Sequence, residues 1–369
     1  MRFNGQVFPL LSLRTELVVW FLALALTIFV VVKWQLFSGR KLTKYLSRTL
    51  SIVLIQILFI SALGLTINRS GEFYSSWNDL LGIRGDINKS AVSTSAVSGI
   101  TARDIRKGKQ LKGGSVVIKK VITGENSGVT DVVYVVIPPK IATALRKNSN
   151  FSLIPRNYKV VELFSGYPGV PATWIGALKG ITALENLENA GKIPQTIGII
   201  PAINVVPGED TECLNYRGGP QVETWLTKDI PIFAQRYIGI DSRPWSTFGY
   251  STGGWCAAEI AIRHQDQYSA AIALAGYFHP AFAYGTTSVE KKYLSEEYDL
   301  IRILSRAKNT VKLLVIASKN DRFSYGSTQE FLKASQPLVS VKYNEIPSGG
   351  HNLSVWRPFV TTGFLWLNN

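Results

Sequence analysis

The residues best suited to nucleophilic chemistry centre on one serine in a glycine-rich stretch. Gly249–Gly253 reads GYSTG, a G-x-S-x-G pattern with Ser251 at its middle, and Gly254 follows directly. A run that favours a strand precedes this stretch, and a run that favours a helix follows it. In a nucleophile elbow the serine has a strained backbone, and small residues two positions away let strand and helix approach. We therefore predict Ser251 as a nucleophile, with an ordinary glycine-rich turn as the alternative.

The base that would activate this serine must be one of the three histidines in the chain. A serine hydroxyl is a weak nucleophile until a neighbouring base accepts its proton. His264 lies at the end of a predicted helix, and His279 lies in the loop after a predicted strand. His351 follows the last predicted strand, where hydrolases with the chain order Ser, acid, His carry their histidine. This order predicts His351 as the base.

The carboxylate that orients the base should end a strand between the serine and the histidine. Asp321 follows the buried-strand pattern VKLLVIAS at 311–318, where a carboxylate could hold His351 in the tautomer that accepts the proton. A surface turn is the alternative for this aspartate. The competing acids lie in a polar helical segment and are Glu290, Glu296, Glu297 and Asp299. We predict Asp321 as the acid.

A tetrahedral intermediate would also need two backbone N–H groups as an oxyanion hole. Thr252, the residue after the nucleophile, is the first predicted donor. The second should come from the glycine-rich turn after an early strand, where we predict Tyr167, with Gly166 as the next choice. Pro168 is excluded because proline has no N–H. A tight turn without this role is the alternative.

The elements that must position these residues alternate along the chain. Apolar runs of the kind found in strands buried on both faces are separated by segments long enough for helices. The strand runs are 159–166, 196–203, 245–251, 270–276, 311–318 and 340–347, and helical segments include 172–190, 221–238 and 254–268. Two further runs, 115–122 and 131–138, predict a hairpin. The pattern predicts the α/β class, a mostly parallel sheet with helices on both faces and its site at the carboxyl ends of the strands.

Two uncharged apolar runs near the N-terminus predict a transmembrane hairpin. They are Leu17–Val32 and Leu50–Ile67. A helix needs about 17–25 apolar residues to cross a bilayer. A signal peptide is the alternative for the first run, but a second run follows closely and no small-x-small cleavage site lies between them. We therefore predict two spans.

The distribution of charge predicts the orientation of this hairpin. The loop at 33–49 carries five Lys or Arg residues and no acid, and short basic loops stay cytoplasmic. Everything after Ile67 would then face outward. The whole chain has a formal net charge of +15, but it shows no long basic run and no nucleic-acid-binding motif. Contact with anionic lipid or an envelope polymer suits this charge better than nucleic acid does.

These observations divide the chain into three parts. Residues 1–67 form the predicted hairpin, and 68–109 are expected to be a linker and irregular segment because Ser and Gly are frequent there. Residues 110–369 form the predicted catalytic domain, which contains all the candidate site residues.

Four stretches resemble one family of esterases with the α/β-hydrolase fold, which includes the antigen 85 mycolyltransferases and the S-formylglutathione hydrolases. The stretches are GYSTGGWCA, FSGYPGVPATW, GEDTEC and GGHNLSVW, and the resemblance covers about 110–369. The preceding apolar pair resembles that of membrane-anchored esterases of actinobacteria. The resemblance implies the α/β-hydrolase fold and acyl-ester chemistry, with Ser251 and His351 at the motif positions. Mycolyltransferases often carry Glu as the acid, whereas the matching position here is Asp321.

The two cysteines become a candidate pair once the domain is placed outside the cytoplasm, where disulfides persist. Cys213 lies in GEDTEC and Cys256 lies five residues after the nucleophile, so both are expected near the site. Two buried free thiols are the alternative. Asp210, Trp255 and Tyr277 are candidate pocket residues, although surface exposure of the acid and core packing of the aromatics explain them equally well.

Together the residues and the resemblance predict a membrane-anchored, extracytoplasmic serine esterase or acyltransferase. Its substrate would be an acyl ester, from a lipid, a glycolipid or a small ester, and hydrolysis and acyl transfer both stay open. The alternative is a non-catalytic module of the same fold that binds envelope glycolipid or polysaccharide; a peptidase is a third reading that the fold permits. No metal or organic cofactor is expected, because two cysteines exclude a four-cysteine zinc site and no H-x-x-x-H spacing occurs.

Overall fold

The computed structural model of the chain separates into two compact units, Met1–Leu81 and Gly82–Asn369, which are described one at a time. The structure describes residues 9–34, 41–71, 74, 77–80, 91–147, 158–240, 244–282, 284–285, 287–334 and 336–368.

The first unit is helical. It contains α1 (Leu13–Val32), α2 (Lys41–Gly71) and the short α3 (Trp77–Leu80). The Ser12 side chain caps α1 by accepting a hydrogen bond from the N–H of Arg14. Leu13–Val32 and Leu42–Arg69 are long and apolar enough to be candidate membrane spans, as the sequence predicted.

A polar cluster joins one end of α1 to one end of α2. Glu16 accepts a hydrogen bond from the Thr66 hydroxyl at 2.9 Å and forms an ion pair with Arg69. The Trp20 indole N–H donates to the same Thr66 hydroxyl at 3.1 Å. A polar group inside a lipid bilayer has no water to bond with and needs a partner within the protein. In a membrane-spanning hairpin these bonds would therefore fix the position of the two helices relative to each other along their axes.

The predicted basic loop at 33–49 is shorter than the sequence indicated. Helix α2 already begins at Lys41, while 35–40 lie outside the described residues. The stretch from Lys41 to the apolar run contains no Gly or Pro. Each residue added to an existing helix gains a backbone hydrogen bond at little further entropic cost, so the helix of the apolar run extends into the basic stretch.

The expected linker, 68–109, also contains regular elements, although 72–73, 75–76 and 81–90 lie outside the described residues. Its described end forms β1 (Val92–Ser93), α4 (Ala102–Lys107) and the first of the two residues of β2 (Lys109–Gln110). Thr101 and Asp104 cap the start of α4 reciprocally. The two short strands join the edge of the main sheet beside β3, so this segment belongs structurally to the second unit.

The second unit is built on a single sheet, which has ten strands in the described part of the chain. Beyond β1 and β2 the strands are β3 (Val116–Thr123), β4 (Thr130–Ile137), β5 (Lys159–Phe164), β6 (Thr196–Pro201), β7 (Trp245–Tyr250), β8 (Tyr268–Leu274), β9 (Val311–Ser318) and β10 (Val339–Ile346). Their spatial order is β1-β3-β4-β6-β5-β7-β8-β9-β10, with β2 beside β3. The predicted hairpin β3–β4 is antiparallel, and all neighbouring pairs from β6–β5 to β9–β10 are parallel.

Helices follow most strands. They are α5 (Pro139–Lys147), α6 (Gly180–Asn189), α7 (Val222–Thr224), α8 (Ile230–Ile238), α9 (Thr252–Arg263), α10 (Ser288–Tyr298), α11 (Leu300–Ile303), α12 (Tyr325–Lys333) and α13 (Leu353–Trp366). A 3-10 turn spans Pro171–Trp174, and a wider turn at Trp225–Asp229 joins α7 to α8.

The two faces of β7 show why helices cover both sides of the sheet. Adjacent side chains on a strand point to opposite faces. The Thr247 hydroxyl donates to the carbonyl of Ala257 in α9 at 2.7 Å, while Phe248 lies against Gly363 of α13. Strands with both faces covered are mostly apolar, and the polar Thr247 is accommodated because its hydroxyl is bonded to a carbonyl.

Candidate active site

The predicted nucleophile lies in a sharp turn between β7 and α9. Ser251 has φ 57° and ψ −127°, in a region that side-chain-bearing residues rarely adopt. The glycines on either side permit this turn. A Cβ on Gly249 would lie 1.7 Å from the carbonyl oxygen of Gly253, and a Cβ on Gly253 would lie 2.3 Å from that of Phe164. Strand and helix could not approach this closely with any larger residue at either position.

The three residues predicted from type and chain order lie in one hydrogen-bonded row. Ser251 Oγ is 2.7 Å from Nε2 of His351, and Nδ1 of the same ring is 2.7 Å from Oδ2 of Asp321. His351 lies in the loop after β10, and Asp321 lies in the loop after β9. The Ser318 hydroxyl at the end of β9 donates to the Gly349 carbonyl, so the two loops are also joined to each other.

The environment of Asp321 favours its charged form. The side chain is only 1% exposed, and burial acts to raise its pKa. The hydrogen bond from His351, the Ser324 hydroxyl at 2.7 Å and the N–H of Phe323 at 3.0 Å outweigh burial, so the pKa lies below its usual value. A carboxylate that stays ionised can hold Nδ1–H of the histidine and leave Nε2 free to accept a proton.

The other two histidines have different carboxylate partners. His264 Nε2 is 2.8 Å from Glu223 Oε1, at the end of α9 opposite to the serine. His279 Nδ1 is 2.7 Å from Asp299 Oδ2, and its Nε2 is 3.0 Å from Glu330. Asp299 is therefore engaged with His279 rather than with the serine-bound histidine.

The two predicted oxyanion donors flank the serine. Thr252 is the first residue of α9, where backbone N–H groups have no acceptor within the helix. The turn that contains Tyr167 follows β5 and lies against the serine, since a Cβ on Gly166 would be 2.7 Å from that of Ser251. The Tyr167 hydroxyl donates to the Gly208 carbonyl at 2.7 Å, and its side chain is 40% exposed.

Two side chains were not identified from the sequence: one bonds to the turn that contains Tyr167, and the other packs against the predicted base. Asn204 Nδ2 donates to the carbonyl of Gly166 at 3.3 Å, which ties the turn to the loop after β6. Phe323 lies edge-on to the His351 ring, with centroids 4.9 Å apart, and is 53% exposed. The only sequence signal for Phe323 was its position two residues after the predicted acid.

The two cysteines form a disulfide, so the alternative of two free thiols is not what the structure contains. Cys213 lies in the long loop after β6, and Cys256 lies in the second turn of α9. Both are fully buried. The bond attaches the loop to the helix that carries the serine at its N-terminus.

Two of the three candidate pocket residues lie in the core behind the site. Trp255 is 0% exposed, donates its indole N–H to the Glu212 carbonyl at 2.9 Å and stacks on Tyr277. The Tyr277 hydroxyl donates to Glu212 Oε1 at 3.0 Å. Both aromatics are thus buried and support the loop after β6 by core packing, Trp255 from α9 and Tyr277 from the loop after β8. A role for either in a pocket stays a prediction.

Asp210, the third candidate pocket residue, lies beside the nucleophile. It is buried rather than surface-exposed, and its Oδ2 accepts a hydrogen bond from the Thr252 hydroxyl at 2.6 Å. Burial raises the pKa of Asp210 to about 7, and the nearby charge of Glu212 adds to this, against the opposing effect of the Thr252 bond. Among the residues that the structure describes, no group of three or more His, Cys, Asp or Glu side chains could hold a metal ion.

Comparison with solved structures identifies the fold. The chain is similar to a ferulic acid esterase (TM-score 0.56, 17% identity, covering 69% of this chain and 98% of that one). It is equally similar to an S-formylglutathione hydrolase from Agrobacterium tumefaciens (TM-score 0.56, 16% identity, 70% and 97%). A fluorophosphonate-binding serine hydrolase of Staphylococcus aureus gives a TM-score of 0.54 at 17% identity over 69% and 99% of the two chains. The second unit therefore has the α/β-hydrolase fold, as the resemblance implied.

Sequence comparison identifies the chain less specifically than structural comparison does. No model of a known protein family matches the chain. An uncharacterised protein of Corynebacterium glutamicum is 24% identical over 231 residues, which cover 56% of this chain and 52% of the relative. The chain thus spans about half the length of the curated relative that it matches.

Proposed function

We propose that the chain is a membrane-anchored serine esterase or acyltransferase that acts on acyl esters through an acyl-serine intermediate. The observation that supports this most is the hydrogen-bonded row of Ser251, His351 and Asp321, with the serine on a strained elbow. Neighbours of the same fold include a ferulic acid esterase and an S-formylglutathione hydrolase, whose names specify ester and thioester substrates.

The proposed reaction has two halves. Ser251 Oγ attacks the acyl carbon while His351 Nε2 accepts the serine proton, and Asp321 stabilises the imidazolium that forms. The bond to the leaving alcohol then breaks as the imidazolium returns the proton to the leaving oxygen, which gives acyl-Ser251. In the second half the oxygen of water, in hydrolysis, or of an acceptor hydroxyl, in acyl transfer, attacks the acyl carbon while His351 accepts its proton. The bond from the acyl carbon to Ser251 Oγ then breaks as His351 returns the proton to Oγ, which releases the acid or the new ester.

The oxyanion of each tetrahedral intermediate would be stabilised by two N–H groups, those of Thr252 and Tyr167. Preorganised donors of this kind are worth more in a site without water than in solution. The N-terminus of α9 adds a favourable partial charge at the same place. Two exposed aromatic side chains near the serine, Tyr167 and Phe323, suit the apolar acyl chain of a lipid or glycolipid ester.

We further propose that the catalytic unit faces away from the cytoplasm. Two features support this orientation: the basic residues between the two candidate spans, and a disulfide in the second unit, which persists outside the reducing cytoplasm. Ser340 and Thr43 are exposed, and replacing each of them by Cys provides a test in intact cells with a membrane-impermeant maleimide. We expect Ser340→Cys to be labelled without permeabilisation and Thr43→Cys to be labelled only after permeabilisation. The reverse result would contradict the proposed orientation.

The test of the activity is labelling of the purified full chain by a fluorophosphonate probe, with turnover of short p-nitrophenyl esters. Wild type should label with one equivalent and hydrolyse the esters, and Ser251→Ala should do neither. Ser246→Ala, a matched control in the strand before the elbow, should label like wild type. A folded wild type that does not label would overturn the triad assignment and favour the non-catalytic module that binds glycolipid or polysaccharide.

A further inference from the structure

The buried carboxyl of Asp210 is in contact with the residue that follows the nucleophile. The Thr252 hydroxyl donates to Asp210 Oδ2 at 2.6 Å, and the N–H of Glu212 donates to Oδ1 at 3.1 Å. Thr252 supplies one of the proposed oxyanion N–H groups. Its side chain is therefore fixed by a group that can itself gain or lose a charge.

The loop that carries Asp210 is held rigidly against α9. The disulfide from Cys213 reaches the second turn of the helix, and the Thr211 hydroxyl donates to the Ile203 carbonyl at 2.6 Å. Glu212 and Cys213 both have positive φ, at 46° and 58°. A residue with a side chain adopts this conformation only where surrounding contacts impose it. The carboxyl of Asp210 therefore has little freedom to move away from Thr252.

The groups that face Asp210 are acidic or neutral. Glu212 lies in the same loop, Tyr277 follows β8, and Tyr216 lies further along the loop, all close enough to interact with it electrostatically. Among the described residues, no Lys or Arg contributes to the charge balance of Asp210. An ionised carboxylate here would add an uncompensated negative charge beside the place where the oxyanion forms.

We propose that Asp210 is a positioning residue for the oxyanion hole and that its charge regulates turnover, the neutral form being competent and the anionic form inhibited. The neutral carboxyl keeps the contact with Thr252 without opposing the negative charge that develops next to it. The raised pKa of Asp210 places this transition near neutral pH. The inference rests on the proposed serine chemistry and adds a pH-dependent control to it.

The charge on Asp210 predicts a specific shape for the pH dependence. The rate should be low at acid pH, where the serine chemistry lacks an unprotonated base, and it should fall again at alkaline pH as Asp210 ionises. Above the pKa of Asp210, each pH unit lowers the neutral fraction, and with it the rate, about tenfold. Asparagine has nearly the same shape as a neutral aspartic acid and cannot ionise. Its Oδ1 can still accept from the Glu212 N–H, and its Nδ2 would donate to the Thr252 hydroxyl in place of the bond that Oδ2 accepts in wild type.

The experiment measures kcat and KM for p-nitrophenyl butyrate from pH 5.5 to 9 in full-length wild type, Asp210→Asn and Thr252→Val. Wild type should give a bell-shaped profile of kcat/KM. Asp210→Asn should lose the alkaline limb and exceed wild type about tenfold one unit above the midpoint of that limb. Thr252→Val, which keeps the side-chain shape but not the hydroxyl, should lower kcat at every pH with little change in KM.

Two outcomes would overturn the inference: an alkaline limb that persists in Asp210→Asn, or a raised KM with kcat and profile unchanged, which would make Asp210 a substrate-binding group. Fluorophosphonate labelling of wild type in the same preparations separates the two proposals. Labelling without the predicted pH behaviour refutes only the role of Asp210, whereas absence of labelling refutes the serine chemistry on which it rests.

Discussion

The two ends of α9 each hold a histidine paired with a carboxylate, but only one of these two histidines also meets a serine hydroxyl. The elbow cluster, Ser251, His351 and Asp321, lies at the N-terminal end. The far cluster, Glu223, Arg263, His264 and Tyr298, lies at the C-terminal end. The helix has 12 residues, which separates the clusters by about 18 Å.

The partners of each carboxylate explain the difference. Glu223 accepts from His264 at 2.8 Å, Arg263 at 3.0 Å and the Tyr298 hydroxyl at 2.6 Å. Burial acts to raise the pKa of Glu223, but these partners lower it to about 2. Every lone pair of this carboxylate that faces the protein is thus used to hold the helix end in place.

In the elbow cluster the histidine instead spans two different groups. One ring nitrogen of His351 meets the carboxylate of Asp321, and the other meets the hydroxyl of Ser251. The comparison shows that a histidine–carboxylate pair is not in itself a catalytic feature. A nucleophile held at the second ring nitrogen by a strained turn is what distinguishes the elbow cluster.

The largest expected contrast is between the two histidines. His351→Ala should lower kcat for a p-nitrophenyl ester by about 10⁵-fold, because removal of a triad base eliminates most of the rate enhancement. His264→Ala should leave kcat nearly unchanged and lower the free energy of unfolding by about 1–3 kcal/mol, since Glu223 loses one buried partner. Steady-state kinetics and urea denaturation of both variants measure these effects. A large loss of kcat in folded His264→Ala would contradict the expectation that only the elbow cluster acts in catalysis.

Removing the disulfide changes the stability of the elbow end of α9 while all three residues of the elbow cluster stay in place. The double substitution of Cys213 and Cys256 by Ser should lower the free energy of unfolding by about 4 kcal/mol, because the bond closes a loop with a sequence separation of 43. Urea denaturation at neutral pH measures it, and wild type treated with reductant should match the variant. Unchanged stability would mean that the loop after β6 is held by its other contacts alone.

The far cluster should govern acid stability. Glu223→Gln should lower the free energy of unfolding by about 1–3 kcal/mol at pH 7, because Arg263 and His264 lose a charged acceptor. Glu259, a second buried carboxyl 2.9 Å from Arg263, limits the loss. Since the pKa of Glu223 is lowered in the fold, its contribution is present above the unfolded value of 4.5 and is lost as pH falls toward about 2. Wild type and variant should therefore converge in stability only as the pH approaches about 2.

A matched control for this prediction is Glu297→Gln, which removes the more exposed partner of Arg263. It should cost less than about 1 kcal/mol, as exposed ion pairs do. Equal losses in the two variants, or a fall in kcat of folded Glu223→Gln, would show that the far cluster is not the purely structural counterpart of the elbow cluster.

Local patterns in the sequence predicted the strands well. The hairpin β3–β4 and the six later strands β5–β10 occur where the runs predicted them. The middle runs are continuously apolar, as strands buried on both faces are expected to be. The start of α2 was predicted nine residues too late. Hydropathy marks where a segment is apolar, but a helix continues into polar residues for as long as nothing interrupts its backbone bonds.

Contacts between distant segments were predicted less completely. Trp255 and Tyr277 were candidates for a pocket wall, and packing buries both of them. Phe323, which contacts the His351 ring, and Asn204, which contacts the turn after β5, were not recognised. An aromatic or amide residue carries no local signal for which side of a loop it faces, and that choice depends on packing between loops.

The sequence by itself determined the elbow around Ser251, because its glycine spacing is a local steric requirement, and it predicted His351 as the base from chain order. The tertiary structure decided which carboxylate serves which histidine. Asp321 and His351 are 30 residues apart, Ser251 and His351 are 100 apart, and Asp210 and Thr252 are 42 apart. Such pairs meet only because parallel strands bring their carboxyl ends to one edge of the sheet, where loops from β6, β7, β9 and β10 pack together.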